Sequence, residues 1–192
     1  MKYKSTLTVL LILVGSFSIL AFSSLSENNS GWEEEEVIIA KDKDLWKDYK
    51  TWYRATENEP NTGDVTGFLD GKHRGNKGYR EIYVNSVGEA THKKSGAPKY
   101  PEGTVIVKEQ FKNERKWRKK RGAGLTIMVK LAPGTSPETG DWGYVIPTIL
   151  GAKISKNTGK TAKFCGSCHV FGAGNDYTFM TSDFIKQVES AD

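Results

Sequence analysis

The sequence predicts a mainly β (α+β) domain, in which a sheet is flanked by a few helices. Four stretches between residues 79 and 150 are rich in β-branched and aromatic residues, and three of them alternate with a period of two. Shorter stretches with apolar residues at helical spacing lie on either side of them and between them. At 192 residues, the chain is long enough to build one domain around its own hydrophobic core.

The start of the chain has the pattern of an export signal. Lys2 and Lys4 precede an apolar run at residues 6–22, and small residues follow where a signal peptidase cleaves. The run is also close to the minimum for a membrane span, so an uncleaved anchor is the alternative. The flank at 33–36 is acidic rather than basic, which favours cleavage and export to the periplasm or another compartment outside the cytoplasm. The predicted regions are a signal peptide or N-terminal anchor at 1–23, an acidic linker at 24–43 and the folded domain at 44–192.

The predicted domain begins with a helix and a long loop. In residues 44–56, apolar side chains that include Leu45 and Trp52 recur at helical spacing, whereas Trp46 lies off this stripe. Residues 57–78 are rich in Gly, Asn, Asp and Pro, and this composition predicts a loop.

Two predicted strands follow, at 79–85 and 104–111, with a short polar helix at 86–96 between them. The second strand opens with a run of three β-branched residues, which is typical of a strand covered on both faces. Alternation places Ile106 and Lys108 on the same side of this strand, so Lys108 emerges directly from a buried run. Such a lysine commonly extends to solvent, but in an apolar environment it loses its proton more readily and becomes a nucleophile.

A strongly basic segment follows at 112–121, with seven basic residues against one acidic residue. It is either a solvated loop between two strands or a docking surface for an acidic partner or an anionic surface. Trp117 within the segment favours contact, because an aromatic residue there is costly to leave in water. Without Lys2 and Lys4 of the leader, the formal charge of +5 falls to 26 minus 23, or +3, which is too mild to indicate binding to nucleic acid.

The last strands are predicted at 124–131 and 141–150. Alternation in the first of them leaves Thr126 on the side opposite the main apolar stripe. A turn-rich connection at 132–140 separates the two strands, and Pro147 bends or ends the second. The remaining predictions are a polar lead-in at 154–163 and a last helix capped by Ser182.

Residues 164–169 read FCGSCH and contain Cys-x-x-Cys-His, the signature of a covalently attached haem c. Two thiols three positions apart on a helical turn, Cys165 and Cys168, can both add to the vinyl groups on one edge of a porphyrin, and His169 then binds the iron. The chain has no other cysteine. A zinc site or a redox dithiol is the alternative, but the nearest other histidine, His92, lies more than seventy residues upstream and no βαβ pattern surrounds the motif.

The position of the motif indicates that the iron has an open face. Only 23 residues follow His169, and Met180 is too close to the motif to reach the opposite face of the iron. His73 is a weaker candidate for the haem pocket, since a histidine in a loop is usually only solvated. The strands argue against the four-helix cytochromes c-prime, which also carry a C-terminal motif. An open iron face predicts that a small molecule is bound or converted, whereas a closed face mainly passes electrons.

Five segments of the chain occur in the order YREIYVN, PEGTVIVKEQ, GDWGY, CGSCH and NDYTF. Together they resemble the cytochrome P-460 family, and the resemblance runs from about residue 44 to the C-terminus. The resemblance implies a mainly antiparallel β fold, a homodimer and one covalently attached haem c with a solvent-accessible iron position. It also implies oxidation of hydroxylamine towards nitric oxide or nitrous oxide, with electrons passed to a soluble redox partner cytochrome. In that family a lysine of the second segment forms an extra covalent link to the porphyrin edge, and here this lysine matches Lys108.

The chain departs from that family at one position. Members that act on hydroxylamine carry a distal carboxylate two positions into the strand at 124–131, where this chain has Thr126. A carboxylate can accept a proton during oxidation, whereas a threonine hydroxyl cannot take it near neutral pH. Glu138 or Asp141 is a possible substitute that the sequence does not place near the iron. A non-catalytic protein that binds nitric oxide, similar to cytochrome c-prime-beta, and a plain electron-transfer protein are therefore the alternatives.

Overall fold

Six strands form one antiparallel sheet in which each strand pairs with the next along the chain. The computed structural model describes residues 42–56, 79–147 and 151–189. The strands are β1 (Tyr53–Arg54), β2 (Tyr79–Val84), β3 (Val105–Phe111), β4 (Gly124–Lys130), β5 (Trp142–Ile146) and β6 (Gly151–Ser155). The helices are α1 (Ser86–His92), α2 (Glu114–Arg118), α3 (Lys160–His169) and α4 (Ser182–Glu189). The predicted fold class is confirmed.

Both faces of the sheet are buried against apolar side chains. We call the face that carries Ile82, Ile106 and Tyr144 the front face. The face that carries Val107 and Ile127 is the back face. The alternation predicted for 79–85, 104–111 and 124–131 is confirmed, because successive residues of these strands join different clusters. Each fully buried Val or Ile of this kind contributes roughly 1.5–3 kcal/mol.

Local side-chain hydrogen bonds set the starts of two helices. The Asn85 side chain accepts a hydrogen bond from the Gly88 amide at the start of α1, which confirms the predicted polar helix and shortens it to His92. Helix α4 begins at Ser182, but the cap is the Thr181 hydroxyl, which accepts from the Phe184 amide at 3.3 Å. The prediction that Ser182 itself caps this helix was wrong by one residue.

The prediction of a helix at 44–56 was also wrong. This segment forms two 3-10 turns and then β1, which pairs with β2. Leu45, on the predicted apolar stripe, is 42% exposed, whereas Trp46, off the stripe, is 6% exposed and packs on the back face. Packing of Trp46 and the backbone pairing of β1 therefore override the helical spacing of the sequence.

Strand β6 was not predicted from the sequence, and its last two residues overlap the start of the polar lead-in predicted at 154–163. It pairs with β5 through an irregular register, and Pro147 follows the last residue of β5, as predicted. The amide of Ile154 donates to the Asp42 carboxylate at 3.1 Å, which ties the beginning of the described chain to this edge strand.

Several predictions concern residues outside the described ranges. These are the leader at 1–23, most of the linker at 24–43 and the loop at 57–78 with His73. Within the described residues, no helix is both long enough and apolar enough to cross a membrane.

The burial of His92 predicts a specific pH dependence of stability. His92 is 2% exposed, its Nδ1 lies 2.7 Å from the Tyr100 hydroxyl, and burial lowers its pKa to about 4. In the unfolded chain a histidine titrates near 6.5, so the unfolded state binds more protons between these two pH values. Stability is therefore lost as the pH falls from about 6.5 towards 4.

We expect His92→Gln to lose about 2 kcal/mol less stability than the wild type between pH 7 and pH 4.5. Urea unfolding at the two pH values measures this difference, and the comparison cancels titration of groups that both proteins share. Equal losses in the two proteins would contradict the burial of a neutral His92.

Candidate haem site

Helix α3 brings the three residues of the Cys-x-x-Cys-His motif together at its C-terminal end. Cys165, Cys168 and His169 lie at spacings of three and four, so they share one side of the helix. Both thiols are free and partly buried, and Cys165 packs against the front face of the sheet. Burial raises the pKa of Cys165 to about 11, so this residue is a neutral thiol near neutral pH.

The imidazole of His169 is fixed on three sides. Its ring centroid lies 5.2 Å from that of Tyr144 and 5.4 Å from that of Phe179. Its Nδ1 lies 2.6 Å from the backbone carbonyl oxygen of Tyr177. Because a carbonyl oxygen can only accept, Nδ1 carries the proton and the lone pair lies on Nε2. This is the arrangement that orients a histidine ligand towards a metal.

Strands β3 and β4 place Lys108 and Thr126 on the front face. The two residues are direct cross-strand partners, and Lys108 also pairs with Ile82 on β2. Cross-strand partners share one face of a sheet, and both side chains are partly buried. The pKa of Lys108 is lowered to about 8, first by burial and then by the positive charge of Arg80, while Cys165 acts in the opposite direction. Lys108 therefore lies within electrostatic reach of the haem motif.

The two acidic residues considered as substitutes for a distal carboxylate lie elsewhere. The Asp141 carboxylate accepts hydrogen bonds from the amides of Gly134, at 3.0 Å, and Ser136, at 2.8 Å, so it closes its own turn. Glu138 is exposed on a 3-10 turn. The structure therefore assigns neither of them to a site beside Thr126.

Two further front-face residues were not identified from the sequence. Arg80 is 2% exposed and, by alternation, points to the same side of β2 as Ile82. The Tyr144 hydroxyl is buried and has no hydrogen-bond partner among the described residues. The signal for Arg80 was present in the sequence, where an arginine occupies an apolar register position two residues before Ile82.

These residues fit a haem. A planar apolar group with carboxylate arms would contact the apolar front face, and a carboxylate would suit the Tyr144 hydroxyl, which has no hydrogen-bond partner among the described residues. The two thiols and the Nε2 lone pair of His169 supply the remaining interactions. Cys165, Cys168, His169 and Lys108 would hold the cofactor.

The basic segment at 112–121 contains helix α2, and two of its own side chains bind it to strand β2 of the sheet. Trp117 donates its Nε1 hydrogen to Glu81 at 2.7 Å and stacks on Tyr79 with a centroid distance of 5.7 Å. Lys120 also binds Glu81. Trp117 is therefore satisfied by the protein itself, which removes the observation that favoured a docking surface over a solvated loop.

Comparison with known proteins agrees with this geometry. A family model described as Cytochrome P460 matches residues 46–180, a range that includes all six strands and the haem motif. No curated protein matches the chain. Since the match covers most of the folded chain, this protein belongs to the Cytochrome P460 family of haem cytochromes.

Proposed function

We propose that this protein oxidises hydroxylamine, towards nitric oxide or nitrous oxide, and passes the electrons to a soluble redox partner cytochrome. The observation that carries the proposal is the position of Lys108 on the front face, within electrostatic reach of Cys165 and paired with Thr126. Bound at this site, a haem iron would supply an electron acceptor and an open position for a small nitrogenous ligand or substrate.

Three residues of α3 would attach and orient the cofactor. The thiols of Cys165 and Cys168 would add across the two vinyl groups, which needs no external oxidant or reductant because each S–H bond adds to a C=C bond. His169 would present Nε2 to the iron, held in place by the Tyr177 carbonyl.

Lys108 would form an additional covalent link to the porphyrin edge, in which an N–C bond replaces one N–H bond and one porphyrin C–H bond, and a two-electron oxidant such as hydrogen peroxide would take up the two electrons and two protons. With a pKa of about 8, roughly a tenth of this amine is neutral at pH 7, so the lone pair needed for bond formation is available. The neighbouring strands fix the register of Lys108 and therefore fix where along the front face such a link can form.

Thr126 would limit the proton transfer. Its hydroxyl can donate or accept a hydrogen bond but cannot hold the proton that leaves the substrate. This feature favours a second candidate function, binding of nitric oxide without turnover, because Asp141 is committed to its turn and Glu138 is exposed.

We also propose export through the leader at 1–23 and assembly as a homodimer. Phe164 and Phe171 flank the haem motif and are 69% and 71% exposed, so a second subunit or the haem itself would bury them favourably. Sedimentation velocity of the holoprotein measures the oligomeric state.

Covalent attachment is tested by replacing the two thiols. From a host that matures c-type cytochromes, we expect the wild type to retain its haem after acidified-acetone extraction and Cys165→Ser/Cys168→Ser to release it. Ser167→Ala, on the same helical turn, is the control and retains the haem. The intact mass also shows whether residues 1–23 are removed. A colourless wild type with the mass of the bare polypeptide would refute the proposed site.

The lysine link is tested with Lys108→Ala and with Gln110→Ala as a control, two residues along the same face of β3. We expect the reduced wild type to have a strongly red-shifted Soret band that returns to an ordinary c-type position only in Lys108→Ala. After proteolysis, the peptide that contains Lys108 should remain joined to the haem peptide in the wild type. Indistinguishable spectra for wild type and Lys108→Ala would rule the link out.

The role of the distal position is tested by restoring a base. We expect Thr126→Glu to raise steady-state hydroxylamine turnover by on the order of 10²-fold, because the carboxylate can accept the proton. Thr126→Gln, of similar size but unable to take a proton, should leave turnover at the wild-type level. A Thr126→Glu protein with no gain would show that this residue does not line the substrate position.

A further inference from the structure

The carbonyl that orients His169 belongs to a backbone segment in an uncommon conformation. Asp176, with φ +52°, and Tyr177, with φ +61°, are consecutive residues in the left-handed region. Non-glycine residues adopt this region rarely, and tyrosine less readily than aspartate. Such a conformation persists only where surrounding contacts determine it, and it is frequent at functional sites.

The peptide unit between these two residues is held at both ends. Its carbonyl oxygen, on Asp176, accepts a hydrogen bond from Trp142 Nε1 at 2.8 Å. Its N–H, on Tyr177, donates to the Gly172 carbonyl oxygen at 2.8 Å. Since Trp142 is fully buried in β5, the sheet fixes the position of the Tyr177 backbone.

The Asp176 side chain connects the same segment to β4. One carboxylate oxygen lies 2.6 Å from Lys130 Nζ, and the other accepts from the Tyr100 amide at 2.8 Å. Asp176 and Lys130 are 9% and 13% exposed at their side chains, so this is a largely buried ion pair. Lys130 Nζ also donates to the Gly140 carbonyl oxygen at 2.7 Å. Removing either charge would leave the other buried without its partner.

Gly140 completes the unit by making room for the Tyr177 ring. A Cβ atom built on Gly140 would lie 2.2 Å from Cε2 of Tyr177, which is far inside contact distance. The backbone that Lys130 binds is therefore also the surface on which Tyr177 rests. Lys130, Asp176, Gly140 and Tyr177 act as one support behind the histidine.

We propose that Lys130 and Asp176 are positioning residues for the iron ligand, because they fix the Tyr177 carbonyl against His169 Nδ1. A short, well-aligned hydrogen bond from Nδ1 increases the electron density on Nε2 and makes the imidazole a stronger ligand. The support therefore sets the strength of the iron–histidine bond and lowers the reduction potential of the iron. This inference rests on the proposed role of His169 as the ligand.

The first test compares two glycine substitutions in the holoprotein. Gly140→Ala and Gly134→Ala both place alanine at a positive φ, +63° and +80°, but only Gly140 lies against Tyr177, and Gly134 has open space around it. We expect the iron–histidine stretching band in resonance Raman spectra of the ferrous protein to shift to lower frequency in Gly140→Ala only. The reduction potential should rise in the same variant, while both variants lose thermal stability.

The second test removes the ion pair without adding bulk. Asp176→Asn keeps an acceptor for the Tyr100 amide, and Lys130→Met keeps the length of the side chain. Lys50→Met, which breaks the Lys50–Glu109 ion pair on the back face, is the matched control. We expect the band to shift down and the potential to shift up in the first two variants and neither to change in the control.

The outcomes separate this inference from the proposed function. A wild-type protein without an iron–histidine band would overturn the proposed function, on which this inference rests, because the iron would lack either the His169 ligand or the open position. A wild-type band that stays in place in Gly140→Ala, Asp176→Asn and Lys130→Met, although their melting temperatures fall, would leave the haem site intact and reduce the support to a structural role.

Discussion

The register of β3 is the constraint on which the rest of the structure depends. The period of two sends Ile106 and Lys108 to the front face and Val107 and Glu109 to the back face. A slip of one residue would exchange these sets and would place a carboxylate against the haem motif in place of the amine. The pairing of β3 with both β2 and β4 therefore decides the chemistry available at the front face as well as the packing.

Polar contacts on the back face lock this register. Glu81 and Glu109 are direct cross-strand partners and are both nearly fully buried, an arrangement that is unfavourable without compensation. Glu109 accepts from the Tyr49 hydroxyl at 2.7 Å and pairs with Lys50, while Glu81 accepts from Tyr83 at 2.8 Å. Burial acts to raise the pKa of Glu81, but hydrogen bonds from the basic segment and from Tyr83 outweigh it, and the net shift is downward.

These contacts explain why the basic segment has two kinds of residue. The partly buried Trp117 and the exposed Lys120 both bind Glu81 and hold the connection between β3 and β4, the strands that carry Lys108 and Thr126. The other basic side chains of the segment are exposed too, and apart from Arg118, which pairs with Glu114, they face solvent or would face an acidic surface. The contacts of the basic segment with Glu81 therefore stabilise the connection between β3 and β4.

Local patterns in the sequence predicted the parts of the fold whose causes are local. The strands at 79–85, 104–111 and 124–131 were predictable because a strand buried on alternate residues shows alternating apolar and polar side chains along its own sequence. The segment at 44–56 satisfies helical spacing equally well, and only packing of Trp46 on distant strands decides against a helix. Strand β6 was missed because few of its residues are large and apolar, so its pairing with β5 left little signal.

The same distinction applies to the candidate site. The Cys-x-x-Cys-His motif encodes its chemistry within five consecutive residues, so it could be identified without a fold. Asp176 could not be identified in this way, and Arg80 only through its apolar register position, because a charged residue in isolation predicts exposure and the burial of both depends on distant parts of the chain. The left-handed conformation of Tyr177, likewise, results from Trp142, Gly140 and Lys130 rather than from its own preference.

The protein therefore provides very different surroundings on the two sides of the proposed cofactor. Behind His169, backbone and side-chain hydrogen bonds and a buried ion pair determine the position of one carbonyl oxygen. Beside Thr126, the strands provide no comparable base, because the buried carboxylates of the central strands, Glu81 and Glu109, face the opposite side of the sheet. A sheet cannot pass a proton from one face to the other through its packed side chains without a polar path. Under the proposed function, a proton released at the front face would have to leave through solvent, so the distal side would limit the rate, while the proximal side would orient the iron ligand.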